Sequence, residues 1–364
     1  MKRFFSVLLA VGVVATMVGR AGAVDFQEEL RKLAQANAVG YTTPLATAFG
    51  TCMNSGLYHT AKPHKLLGFD ISIKPSAALV PEEDKFFDFI VPGMFEIPMS
   101  MIQPGSNDTL HLNGANIWNG SKKTSTVFGP DTVSVILAAG AEAELESALR
   151  AKGWTQAQID IAKMSPDWQN AVNSIPAITT VPGLDLDGLP LVLPQLSVGL
   201  IFGTEVLVRY LPEVDAGDVG KVKFWGFGVK HSISQWIPLP LLGIDITGQY
   251  VMQQLKVGTV LESNHTAMDL QVSRRFGFML LSLTPYAGFG IESSDLKVDY
   301  VVENPNNDVA LPPDGTHIGF KLDGDNTSRM TVGGRIQLAF LTINADYSMG
   351  AYDSYSAGVG ITLR

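Results

Sequence analysis

The stretch from Thr327 to Arg364 alternates apolar and polar residues with hardly a break. Met330, Val332, Ile336, Leu338 and Phe340 fall on one phase, and Thr331, Arg335 and Gln337 on the other. After a turn near Phe340 the pattern resumes, with Leu341, Ile343, Ala345, Tyr347 and Met349 set against Thr342, Asn344, Asp346 and Ser348. A third run places Tyr355, Ala357, Val359, Ile361 and Leu363 opposite Ser354, Ser356, Gly358, Gly360 and Thr362. A period of two belongs to strands. Consecutive strands of about ten residues, apolar on one face and charged or glycine-bearing on the other, meet the needs of an antiparallel barrel with lipid outside and water within.

The start of the chain agrees. Lys2 and Arg3 precede an apolar run from Phe4 to Val18, and Ala21-Gly22-Ala23 supplies small residues for cleavage, the pattern of an export signal over residues 1–23. No later stretch has the eighteen or so unbroken apolar residues of a membrane helix. Cleavage removes Lys2, Arg3 and Arg20 and no acid, so the mature chain is more acidic than the whole, whose formal charge is -9. Such a chain is a poor nucleic-acid binder. Cys52 is the single cysteine, which excludes an internal disulfide and a cysteine zinc site.

Residues 24–64 read as an N-terminal helix, Val24 to Ala38, followed by a small-residue segment from Gly40 to Lys65 with no clean period. That segment is a candidate plug, with Pro44, Asn54 and His59 as its marked residues; an ordinary first strand with turns is the alternative. His59 and His64 flank Pro63 at a spacing that suits no standard metal site. Residues 65–364 read as the barrel. Within them 139–176 changes to helical spacing: Ala141, Leu145, Ala148 and Leu149 end at Gly153, Thr155 and Gln158 form a capping box, and Ser165-Pro166 opens a third helix. Such an insert is expected to be an excursion at one end of the barrel. About eighteen residues per strand and connection predict twelve to fourteen strands.

The polar phase of the strands is the expected lumen. Asp70, Lys74, Arg209, Lys230, Asp245, Asp269, Arg335 and Asp346 lie on it or within a mostly apolar run, and their mixed signs predict internal pairing and not a single-sign selectivity ring. Serine-hydrolase elbow, P-loop, zinc-protease and dinucleotide motifs are absent. Ser263-Asn264-His265 holds residue types used by membrane hydrolases at a spacing that defines no nucleophile and base. Asp323-Gly324-Asp325-Asn326 resembles the opening of a calcium loop but lacks the later acidic ligand. No catalytic residue, metal or cofactor is expected.

The GYTTPLATAFGTCMNSGLYHTAKPHKLLGFDISIK segment, the GLIFGTEVLVRYLP strand and the final SYSAGVGITLR resemble uncharacterised outer-membrane barrel families of Gram-negative bacteria. More loosely, the chain is similar to the long-chain fatty-acid transporter barrels. That likeness implies a fourteen-stranded wall, a hatch at Gly40 to Ala61, and hydrophobic cargo leaving sideways through the wall. The helical insert has no counterpart there, and Arg364 stands where such barrels commonly end in an aromatic residue. The expected function is an outer-membrane channel for passive uptake of small molecules, hydrophobic ones included, with membrane lipid and the barrel-assembly machinery as partners. The alternatives are a non-transporting barrel that serves as a binding or adhesion scaffold, an outer-membrane hydrolase, and a secreted β-sandwich.

Overall fold

The alternating runs close into one ring in the computed structural model, which describes residues 34–215, 221–237, 243–278, 280–306 and 311–363. The export signal and most of the Val24–Ala38 helix lie outside the described residues. The described chain opens with helix α1 (Gln35–Met53) and then runs to strand β1 (Phe69–Leu79). An excursion over 80–187 follows. It holds three two-stranded ribbons, β2 (Phe86–Asp88) with β5 (Lys123–Ser125), β3 (Met94–Pro98) with β4 (Thr109–Asn113), and β6 (Val135–Ile136) with β7 (Ile178–Thr179). It also holds helices α2 (Gly114–Ile117), α3 (Ala141–Ala151), α4 (Gln156–Lys163) and α5 (Pro166–Asn173). The capping box at Thr155 and the Ser165 N-cap are both formed. Thus the helices are one part of a larger cap.

The chain then returns as β8 (Gly188–Gly199), β9 (Thr204–Asp215), β10 (Lys221–Ser232), β11 (Ile244–Val257), β12 (Leu261–Arg274), the short β13 (Phe276–Phe278), β14 (Leu281–Val301), β15 (His317–Asp323), β16 (Ser328–Leu338), β17 (Leu341–Met349) and β18 (Ser354–Leu363). Every neighbouring pair is antiparallel. Strands β1 and β18 pair from Phe69↔Leu363, and β12 pairs with β14, so the ring closes through β1, β8–β12, β14 and β16–β18. The wall therefore has ten strands, not the twelve to fourteen expected. The excess arose because the cap takes more chain than the helical spacing revealed, and because β14 runs past the ring to pair with β15 as well.

Side-chain phase explains why this ring sits in lipid. Each of the ten strands exposes large apolar residues outward, such as Ile73, Val208, Phe227, Met252, Leu270 and Val359. An apolar belt around a ladder that closes on itself pairs most backbone groups within the wall, the condition for a strand-built span. Among the described residues no helix is long and apolar enough to cross a membrane.

The phase reverses higher up on the same strands. On β11, Tyr250 and Met252 face out and Gln249 and Gln253 in, but further along Lys256 faces out while Leu255 and Val257 are buried. On β14, Phe289 and Ile291 face out below, whereas Lys297 and Asp299 face out above, over buried Leu296, Val298 and Tyr300. No residue slips register; only the solvent on each side changes. The upper section is an ordinary apolar-cored wall in water, and the cap packs into it. Trp118, Phe128 and Trp168 of the cap share one core with Leu45 and Phe49 of α1 and with Leu191, Phe224 and Leu255 of the wall. Tyr352, in the β17–β18 turn, donates to Asp84 of the cap at 2.7 Å; burial, then that carboxylate, holds its phenol above the usual range. The opposite end carries tight turns at Leu200–Gly203 and at Ala339–Phe340, where Phe202 and Ala339 take positive φ.

Candidate functional site

Residues 35–64 occupy the interior of the ring from the cap end to the turn end. Asn37 exchanges bonds with Ile90 of the cap (3.0 and 2.7 Å), and Tyr41 donates to Pro182 O (3.0 Å). At the far end, the His64 backbone and ring both meet Glu205 (2.9 and 2.7 Å), and its other ring nitrogen meets Thr362 (2.9 Å). Helix α1 is built from poor helix formers, with Thr42, Thr47 and Thr51 buried and Pro44 inside it. It persists because wall and cap pack against it, and from Pro44 to Met53 every residue is buried.

Between its ends the plug is held by the wall through main-chain oxygens. Arg209, almost wholly buried, donates to Met53 O (2.8 Å) and Ser55 O (3.0 Å), and also to Gln195 (2.9 Å) and Gln253 (3.3 Å). Gln253 adds bonds to Met53 O and to Asn54 Oδ1. Lys230 donates to Thr60 O at 2.7 Å, with Glu205 at 3.7 Å. Arg329, paired with Glu292, donates to Ser55 Oγ at 2.9 Å. His59 stands 3.1 Å from Lys74 and 3.6 Å from Asp70, while Tyr58 fills a hollow opposite Gly288, where a Cβ would lie 2.0 Å from its hydroxyl. That glycine is required by the close approach, a reason distinct from sheet curvature.

The structure puts Asp70, Lys74, Arg209, Lys230, Asp269, Arg335 and Asp346 on the interior face, all buried. Asp245 is only half-buried and lines a cavity of about 350 Å³ at the turn-end mouth with Lys62, His64 and Phe202. Of the marked plug residues, Pro44 lies inside α1, Asn54 caps it, and His59 reaches the wall. Glu205, Glu292 and Arg329 were not singled out from sequence, although the phase of Gly290 and Thr331 already places the last two inside. Counted by formal charge among the described residues, Asp70, Glu205, Asp269, Glu292 and Asp346 balance Lys74, Arg209, Lys230, Arg329 and Arg335 on the interior face. Asp70, Ser72, His265, Ser282 and Ser356 keep polar atoms without a hydrogen-bond partner among the described residues. Residues 54–64 thus meet the wall through many polar, water-compatible contacts, beside one apolar cluster in which Leu57 and Tyr58 pack on Val251, Ala267 and Tyr286. Ser263 donates to Asp295 O and is not bonded to His265. Among the described residues no three His, Cys, Asp or Glu side chains gather as a metal site.

One part of the wall is incomplete. The β8–β9 ladder runs from Gly199↔Glu205 to Gln195↔Arg209 and stops, although both strands continue toward the cap. Above that point β8 pairs only with β1 and β9 only with β10. The cause is local: Pro190 and Pro194 on β8 and Pro212 on β9 have no N–H to donate, and the β9–β10 register shifts beside Pro212. Leu189, Leu191, Leu193, Leu211 and Phe224 are buried behind the gap. Tyr210 and Trp225, opposite each other and exposed, mark the membrane interface at its base.

A model of a family of unknown function (DUF6588) matches residues 1–363. The chain belongs to that family. No curated protein matches it in sequence. Solved structures that share features with this member of the family are outer-membrane proteins. OmpT of Vibrio cholerae is 12% identical over 47% of this chain and 56% of its own, with a TM-score of 0.21. The beta domain of the Bordetella autotransporter BrkA is 13% identical over 48% and 91%, with a TM-score of 0.23. The translocator domain of the autotransporter NalP from Neisseria meningitidis is 9% identical over 83% and 90%, with a TM-score of 0.20. The match thus spans little more than half of the Vibrio chain. The barrel assignment for this family member rests on its own closed ladder and apolar belt.

Proposed function

We propose that the protein is an outer-membrane barrel that passes small apolar molecules between the outer leaflet and its upper, apolar chamber, with the β8–β9 gap as the doorway. The observation that carries this reading is the end of the ladder at Gln195–Arg209, at the height of the Tyr210–Trp225 pair, with leucines directly behind it. At rest, side chains of α1 and the cap fill the chamber, so entry displaces them. Onward passage needs residues 54–64 to rearrange, and their polar contacts with the wall are ones that water can replace. In this reading the likeness to the fatty-acid transporters reduces to a filled lumen and a route through the wall, since the wall has ten strands where theirs has fourteen.

The test is to bridge the gap. Val192→Cys and Pro212→Cys, on opposite edges, are joined by a bifunctional methanethiosulfonate; native Cys52 is fully buried and does not compete. Cells producing the protein should take up N-phenyl-1-naphthylamine faster than cells lacking it. Bridging should abolish the difference and reductant restore it. Uptake no faster than in cells lacking the protein, or unchanged by bridging, refutes the doorway. A second reading, a binding scaffold, is supported by the exposed row Val133, Val135 and Leu137 on one face of the β6 segment. Replacing the row with serine should then abolish partner-dependent cell aggregation and leave dye uptake intact.

A further inference from the structure

The outward surface carries a depression at the turn end that neither the plug nor the doorway uses. Strand β12 keeps its pairing with β11 as far as Arg274↔Ile244, but β13 pairs with β14 alone, at Phe276↔Leu283 and Phe278↔Leu281. The chain thus breaks from the wall at Arg275, and β13 has one edge without a strand partner among the described residues. Together with β14 and β16 it borders a groove of about 730 Å³, lined by Phe276, Leu280, Leu281, Leu283, Ile336 and Leu338. All six side chains are at least half exposed or nearly so, and all belong to the lipid-facing phase.

Arg274 and Arg275 stand at the head of this groove, both exposed. The Arg274 guanidinium lies 5.0 Å over the Phe276 ring, one of the groove's own walls. Neither arginine has a carboxylate within ion-pair distance among the described residues, whereas the interior arginines Arg209 and Arg329 are fully engaged with plug or wall. Two cations without an acidic partner on a lipid-facing surface, next to an apolar channel, repeat the charge pattern of a phospholipid in complement: an anionic phosphate joined to acyl chain. Arginine's fork suits phosphate oxygens better than a point charge does.

We propose that this groove is a phospholipid site, with an acyl chain along Leu281, Leu283 and Ile336 and the phosphate on Arg274 and Arg275. Such a lipid would cover the unpaired edge of β13 and fix the hairpin against β16.

The full-length protein, purified in detergent, is examined by native mass spectrometry with dipalmitoyl phosphatidylglycerol, with dipalmitoylglycerol, which lacks the phosphate, and with inorganic phosphate. The wild type should retain one phosphatidylglycerol, and R274Q/R275Q should need at least tenfold more lipid for the same occupancy. R274K/R275K, which keeps the charge but not the fork, should bind between the wild type and R274Q/R275Q, and heat-modifiable gel migration confirms that each variant is folded. Leu283→Ser should weaken retention although the arginines remain. Equal retention by wild type and R274Q/R275Q, equal retention of dipalmitoylglycerol, or binding of inorganic phosphate without lipid would each overturn the proposal.

Discussion

Replacing Arg209 with alanine separates the plug from the wall at its best-held point. The guanidinium makes two bonds to plug carbonyls, to Met53 O and Ser55 O, and one across the last β8–β9 rung to Gln195. Hydrogen bonds from a charged donor contribute about 1.5–3 kcal/mol each, so the two plug bonds are worth about 3–6 kcal/mol before compensation. Met53 O retains Gln253 at 2.9 Å, and water fills the vacated space, which brings the net loss to about 2–4 kcal/mol. At 1.4 kcal/mol per factor of ten, the open population of the plug rises roughly 30- to 700-fold. The reporter is already in place. Cys52 is the single cysteine, fully buried in α1, with its thiol donating to Leu189 O at 2.8 Å. Its labelling by a maleimide in detergent follows the open population when reclosing is fast. The expected result is a rate increase within that range while heat-modifiable migration is kept. A rate unchanged in R209A, with the barrel intact, would show that the apolar core around Phe49 and Leu45 alone holds the plug.

Two further expectations concern the plug. Gly288→Ala places a methyl on the Tyr58 hydroxyl, so Cys52 labelling should accelerate, and Tyr58→Phe in the same chain should recover part of the loss; no recovery would locate the clash elsewhere. The direction of the plug predicts opposite accessibility for its two ends: a bulky, impermeant maleimide should label Gln35→Cys on intact cells but reach Leu66→Cys only after the outer membrane is opened, since short turns face the periplasm. The reverse pattern would invert the barrel.

The wall was legible because strand phase is a property of neighbouring residues. Thr331, Arg335 and Asp346 could be placed inside the ring from Val332 and Tyr347 alone. The helix through the lumen was not. An amphipathic period appears when one face meets water and another an apolar core; from Pro44 to Met53 α1 is buried all round, and Thr42, Pro44 and Gly50 break the apolar pattern besides. The cap was legible only where α3, α4 and α5 carry caps and spacing; its ribbons are too short to show a period. The β8–β9 gap was invisible for a different reason. Pro190, Pro194 and Pro212 can be read from the sequence, but which strand each would have faced depends on the closure of the ring.

That closure joins β1 to β18, the first and last strands of the wall, from Phe69↔Leu363 upward. The plug immediately precedes β1 in the chain, so it is tethered beside an edge that stays unpaired until the final strand arrives. A helix with its side chains is about as wide as the space ten strands enclose, and threading it into a finished ring is slow where laying it on an open sheet is not. Time, then, enters this topology: the order expected from it is that plug and cap settle on a curved, unclosed sheet before the pairing of Ser354–Leu363 encloses them.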